Sequence, residues 1–146
     1  ISPLQLFLKE KTMKEFIHKE LSQKVIGAFY SVYNALGYGF LEKVYENAFK
    51  HELELMGFNV QSQVPIEVFY RGIKVGQYFA DLLIEKSIII ELKAAESLCE
   101  EHEHQLTNYL KATNIELGLL LNFGKEPQFK RIIFTNDRKN LHDSNS

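Results

Sequence analysis

Residues 80–93, Ala80-Asp81-Leu82-Leu83-Ile84-Glu85-Lys86-Ser87-Ile88-Ile89-Ile90-Glu91-Leu92-Lys93, decide how this chain is read. Two apolar runs flank Glu85-Lys86-Ser87, the pattern of a hairpin with a three-residue loop. That loop sets Ile84 opposite Ile88, and counting outward sets Asp81 opposite Glu91. Side chains alternate along a strand, so Asp81, Glu91 and Lys93 share one face while Ile88, Ile90 and Leu92 take the other. Opposed residues hold their Cβ atoms about 4.5–5.5 Å apart, and like charges so placed destabilise a sheet. Lys93 offsets part of that repulsion. A hard divalent cation such as Mg2+, which prefers carboxylate oxygens, would offset more. The competing reading is a solvated strand face on which Lys93 is simply the salt-bridge partner of the two acids. The apolar flanks argue against it, because charges in such surroundings are costly without a purpose.

Upstream, Leu21, Val25, Ala28, Phe29, Val32 and Leu36 recur at three- and four-residue steps, predicting an amphipathic helix over about 13–36. Thr12 and Glu15 have the spacing of a capping box at its start, and Gly37 supplies a left-handed stop. A second helix is predicted over about 40–56, with Leu41, Val44, Tyr45, Ala48 and Leu55 on its apolar side and Gly57 beyond it. Strands are predicted at 58–64, 65–70, 73–84 and 88–93, with Arg71-Gly72 as a hairpin turn. Pro65 belongs at a strand start or on a sheet edge, since it cannot donate to a ladder.

Downstream, a third helix is predicted over roughly 100–113, then a continuously apolar buried strand at 115–121 and a short last strand at 130–134. This order of elements gives an α/β or α+β layer fold, a mixed β-sheet flanked by helices. The expected organisation is one domain over 13–135. Residues 1–12 read as an extension ahead of Met13, non-native or flexible, and 136–146 as a polar tail that frays.

The chain has 146 residues, 45% hydrophobic and 25% charged, the composition of an ordinary globular domain. Seventeen Lys plus Arg against nineteen Asp plus Glu give a net charge of −2, so a nucleic-acid partner has to be met by a local basic patch. The single cysteine, Cys99, cannot form an intramolecular disulfide, and no apolar run approaches a membrane span. A reducing, cytoplasmic setting and no membrane partner are expected.

Asp81 followed by Glu91-Leu92-Lys93 resembles the Asp…Glu-x-Lys signature of the PD-(D/E)XK nuclease superfamily. Gly39-Phe40-Leu41-Glu42-Lys43-Val44-Tyr45 is similar to the motif of the GxxExxY protein family, whose members look like small nucleases of that superfamily. Gln105-Leu106-Thr107-Asn108-Tyr109 is similar to the Q-x-x-x-Y motif of RecB-like members. Ala80 stands where the signature has Pro, a position that contributes no ligand. The resemblance, which extends over about 21–134, implies a restriction-endonuclease-like core. It implies Asp81 and Glu91 as ligands of Mg2+ or Mn2+, Lys93 as the residue orienting the attacking water, and Glu42 as the acid holding a metal-bound water.

Other residues carry a functional and a plain reading side by side. Glu42 in the first turn of a helix also gains from the helix dipole. Tyr45 lies on an apolar helix face, as core or as a substrate contact. Gln105 and Tyr109, one turn apart, face the same way: Gln105 toward Lys93 or a phosphate, Tyr109 stacked on a base or packed in the core. His102 and His104 lack a zinc-binding spacing. Lys130 and Arg131 are candidates for phosphate contacts. The expected function is a metal-dependent nuclease acting on nucleic acid, DNA first, with a homodimer as a further partner. The alternatives are a non-catalytic nucleic-acid- or protein-binding module on the same fold, and a sheet that dimerises through its apolar surface.

Overall fold

The computed structural model describes residues 1–139. A helical stretch opens the chain: α1 (Pro3–Phe16) passes through a π-helical turn (Ile17–Leu21) into α2 (Ser22–Leu36). Helix α3 follows (Glu42–Leu55), then β1 (Val60–Tyr70), β2 (Ile73–Ile84), β3 (Ile88–Lys93), α4 (Glu100–Lys111), β4 (Leu117–Phe123) and β5 (Pro127–Ile133). A 3-10 turn (Asn136–Arg138) comes last. Among the described residues no helix is long and apolar enough to cross a membrane.

The five strands form one mixed sheet in chain order. Only β3 and β4 run parallel, joined by the α4 crossover, and the other neighbours are antiparallel. Helices α2 and α3 cover one face through Val25, Phe29, Tyr45, Phe49 and Leu53, packed on Leu82, Ile84, Ile88, Ile90 and Leu92. Helix α4 covers the other through Leu106, Tyr109 and Leu110, packed on Leu83, Ile89 and Leu120. Burial on both faces explains why β3 and β4 are apolar without alternation. Helix α4 approaches β4 closely, since a Cβ at Gly118 would lie 2.8 Å from Leu106 Cδ1.

Several boundaries differ from the sequence reading. The first helix begins ten residues early, because Ser2 and Gln5 form a reciprocal capping box ahead of Pro3 at the first helical position. Thr12 is therefore mid-helix, its hydroxyl donating to the Leu8 carbonyl. On α3 the buried face is Tyr45, Phe49 and Leu53, whereas Leu41, Val44 and Leu55 are exposed. The two strands expected at 58–64 and 65–70 are one, with Pro65 inside an edge strand, the place in a sheet where proline is tolerated. The expected tail is partly structured: Lys139 Nζ donates to the Thr113 and Ile115 carbonyls at 3.1 and 2.7 Å, just beyond the end of α4. Its remainder, 140–146, lies outside the described residues.

The β1–β2 hairpin bends where the site forms. Pairing runs Ser62↔Leu82 and then Val64↔Ala80, with Gln63 opposite Asp81 at the break and Gln63 in the left-handed region at φ 53°. Leu82 and Ile84 pack under α2 and α3, yet Ala80 packs on the α4 side with Leu83. The alternation therefore shifts at Asp81, and the hairpin beyond it swings clear of β3.

Candidate active site

Strand β2 pairs with β3 only through Ile84↔Ile88, Leu83↔Ile89 and Leu82↔Ile90. One step further the carboxylates take over the ladder. The Asp81 N–H donates to Glu91 Oε1 at 3.0 Å, and Asp81 Oδ2 accepts from the Leu92 N–H at 2.8 Å. Each acid thereby commits one oxygen to the backbone across the gap and keeps its second oxygen clear of any such bond.

Burial dominates the electrostatics. Glu91 is 3% exposed and Asp81 half-buried. Loss of water pushes Glu91 up to about 8, with the Asp81 charge adding to the effect. Asp81 is also raised, by burial first and further by Glu46 and Glu42, against the lowering pull of the Leu92 N–H. Among the described residues Lys93 Nζ forms no ion pair with either acid. It donates instead to Gln105 Oε1 at 3.2 Å. Gln105 Nε2 in turn donates to the Tyr109 hydroxyl at 2.8 Å. The solvated-face reading fails on both counts: Glu91 is buried, and Lys93 is not the acids' salt-bridge partner.

The loop after Lys93 is held by a residue the sequence reading passed over. Asn122, register partner of Lys93 on β4 and fully buried, accepts from the Ala95 N–H at 2.9 Å and donates to the Ala95 carbonyl at 3.0 Å. Its signal was a lone amide in an otherwise apolar strand. Gly124 completes the clamp, since a Cβ there would stand 2.7 Å from the Ala95 oxygen.

Glu42 opens α3 and is exposed, and its charge reaches both acids. Among the described residues it makes no three-ligand cluster with them. Glu46, one turn later and 5% exposed, was missed. It accepts from Lys43 Nζ at 2.6 Å and from Gln63 Nε2 at 2.7 Å, tying α3 to the bend opposite Asp81.

The four candidate substrate contacts are all engaged within the fold. Tyr45 is core, not a substrate contact: its ring stacks on Phe123 at 4.1 Å, and its hydroxyl donates to the Gly37 carbonyl while accepting from the Phe40 N–H. Tyr109 is buried beneath Tyr78, ring centroids 5.7 Å apart, and offers no free face for a base. Its hydroxyl is held up to about 12, chiefly by burial. Arg131 opposes Leu119 and points to the α2 side, donating to the buried Ser22 hydroxyl at 2.8 and 3.1 Å, away from the carboxylates. Lys130 is on the α4 side and bound to Glu103 at 2.7 Å. His102 Nδ1 accepts from the Cys99 N–H at 3.3 Å, which makes it a cap of α4.

A mixed sheet with one parallel pair, flanking helices, and an Asp, a Glu and a Lys where a hairpin parts from its neighbour define the restriction-endonuclease-like class. Residues 19–132 match the model of the PD-(D/E)XK nuclease superfamily, and the chain belongs to that superfamily. A solved structure described as "Crystal structure of SSO0001" shares the fold at a TM-score of 0.51 and 24% identity, covering 66% of this chain and 51% of that one. The chain thus spans about half the length of that protein. No curated protein matches it at a significant level.

Proposed function

We propose that the protein is a Mg2+- or Mn2+-dependent nuclease hydrolysing phosphodiester bonds, with DNA as substrate. The observation that carries this reading is the Asp81–Glu91 pair, each acid pinned by one backbone N–H and left with one oxygen for a cation, beside a lysine whose charge reaches both acids and which is in ion-pair contact with neither. An all-oxygen donor set of two carboxylates suits a hard divalent ion, and two acids whose pKa values burial has raised lack the positive charge such an ion brings. When bound, the cation supplies Lewis acidity at the phosphoryl oxygen and a more acidic water.

The chain's own groups do the rest. Asp81 and Glu91 fix where the cation would sit. Lys93, oriented by Gln105 and through it by Tyr109, directs its ammonium toward the negative charge that develops on the phosphoryl oxygens in the transition state. Asn122 and Gly124 keep the strand end after Lys93 in place. Glu42, at the mouth of the site, would hold a water of the hydrated ion. The test is hydrolysis of end-labelled single-stranded, double-stranded and branched DNA with Mg2+, with Mn2+ and with chelator. Cleavage only with the ions is expected, and no cleavage of any substrate overturns the reading.

A further inference from the structure

A cleft of about 1100 Å3 runs between the swung-out half of the β1–β2 hairpin and α4. Clefts for single small ligands are about 300–1,000 Å3, so this one has room for a segment of chain. Its α4 wall is His104, Gln105, Asn108 and Lys111, at the three- and four-residue steps of one helix face. Gln105 is the residue that holds Lys93, so the cleft and the proposed active site share a wall.

The hairpin wall is aromatic. Tyr78 is 52% exposed, braced from behind by Tyr109, and Tyr70 near the hairpin tip is more open still. Three of the four lysines and arginines lining the cleft rest on a ring: Arg71 lies 5.5 Å from the Tyr70 centroid, while Lys111 and Arg138 lie 5.6 and 4.2 Å from that of Phe134; the fourth, Lys139, is tied to the Thr113 and Ile115 carbonyls. Among the described residues none of the three is in an ion pair. Of the two acids in the lining, Glu67 already faces Lys74 at 3.6 Å. Arg71 also occupies a left-handed turn position, φ 49°, where Asn or Gly is the unstrained choice. Its guanidinium is thus placed on the cleft lip at a backbone cost.

The geometry points to a binding track for a single-stranded segment of nucleic acid, bases stacked on Tyr78 and Tyr70 and phosphates met by Arg71, Lys111 and Arg138. Duplex bases are already stacked on one another and would leave the rings bare, whereas unpaired bases offer their faces. This inference deepens the proposed nuclease reading, naming a substrate with an unpaired stretch next to the scissile bond.

The experiment measures binding without turnover. Fluorescence anisotropy of labelled oligo-dT, oligo-rU and a blunt DNA duplex of equal length is followed with full-length Asp81→Asn protein in chelator. At least one single strand should bind more tightly than the duplex, and the tighter of the two names the sugar. Adding Tyr78→Ser should weaken single-strand binding about 5- to 100-fold, with Tyr78→Phe restoring it. Adding Arg71→Ala with Lys111→Ala should lower the slope of log affinity against log salt by about 1.4. Duplex binding as tight as single-strand binding overturns the track, as does single-strand binding that neither set of substitutions changes. A chain that cleaves nothing can still pass this test, and one that cleaves only duplex can still fail it.

Discussion

Asp81 and Glu91 are cross-linked through the backbone: the amide of Asp81 donates to the Glu91 carboxylate, and the Asp81 carboxylate accepts from the amide of Leu92, the residue after Glu91. Two acids are thus held side by side by the strands that carry them, and the fold bears their repulsion whenever both are ionised.

That repulsion gives stability a pH signature. Glu91 ionises at about 8 in the folded chain against 4.5 for a free glutamate, and Asp81 is shifted the same way. Between those values the folded state holds the proton more tightly than the unfolded one, so this contribution is complete below about 4.5 and is lost as pH rises toward 8. Thermal melting in chelator should show a falling Tm over that window. Glu91→Gln should flatten the fall, since the amide oxygen still accepts from Asp81 N–H. An unchanged slope in Glu91→Gln would assign the effect elsewhere.

Divalent cation should reverse the loss. Binding to the folded state alone adds about 2.7 kcal/mol at 100 times Kd, or roughly 5–10 °C in Tm for a domain of this size. Asp81→Asn at neutral pH should melt at or above wild type in chelator and gain nothing from Mn2+. Melting clearly below wild type, together with no Mn2+ gain in the wild type, would make Asp81 an ordinary structural acid.

Lys93→Ala should reduce cleavage about 100- to 1000-fold, the usual effect of removing one group that stabilises a transition-state charge. Mn2+ affinity should hardly change, because an ammonium is no ligand. Gln105→Leu should cost about 10-fold through loss of orientation alone. Calorimetric Mn2+ titration alongside single-turnover cleavage separates the two roles, and near-wild-type cleavage by Lys93→Ala removes that residue from the mechanism.

Glu42→Gln should leave the free energy of unfolding within about 0.5 kcal/mol of wild type, as expected for an exposed position, while lowering metal-dependent cleavage. Glu46 presses on Asp81 harder than Glu42 does. In carboxyl NMR titrations in chelator, Glu46→Gln should therefore move the Asp81 transition to lower pH by more than Glu42→Gln does. The reverse order would reassign the acid that governs Asp81.

Gly124→Ala should destabilise the fold by about 1–3 kcal/mol in urea melts, because its Cβ would be driven into the Ala95 oxygen. Cleavage by the folded protein should fall as well, through displacement of the loop after Lys93. A variant that loses stability and keeps full activity would free that loop from any part in the site.

The heart of the fold was legible because its rules are local. The three-residue Glu85-Lys86-Ser87 turn fixes Ile84↔Ile88, and the period of two carries Asp81 to Glu91 from there. The start of the first helix was misplaced because two competing caps exist and only Ser2-Pro3 has both the reciprocal bonds and the proline. Asn122, Glu46 and Tyr78 escaped notice for a different reason. Their roles depend on what faces them across the sheet, and neither the β4 register nor the left-handed kink at Gln63 has a periodic signature. The face on which Arg131 stands has no periodic signature either, since it depends on the β4–β5 register.

The turn at Glu85–Ser87 imposes a constraint on length rather than on chemistry. Its side chains are remote from the carboxylates, so many substitutions there would pass unnoticed. One inserted residue, if absorbed by a slip of β2 along β3, would carry Asp81 to the opposite face of the sheet and put an apolar side chain opposite Glu91. The chain would keep every residue of its signature and lose the site.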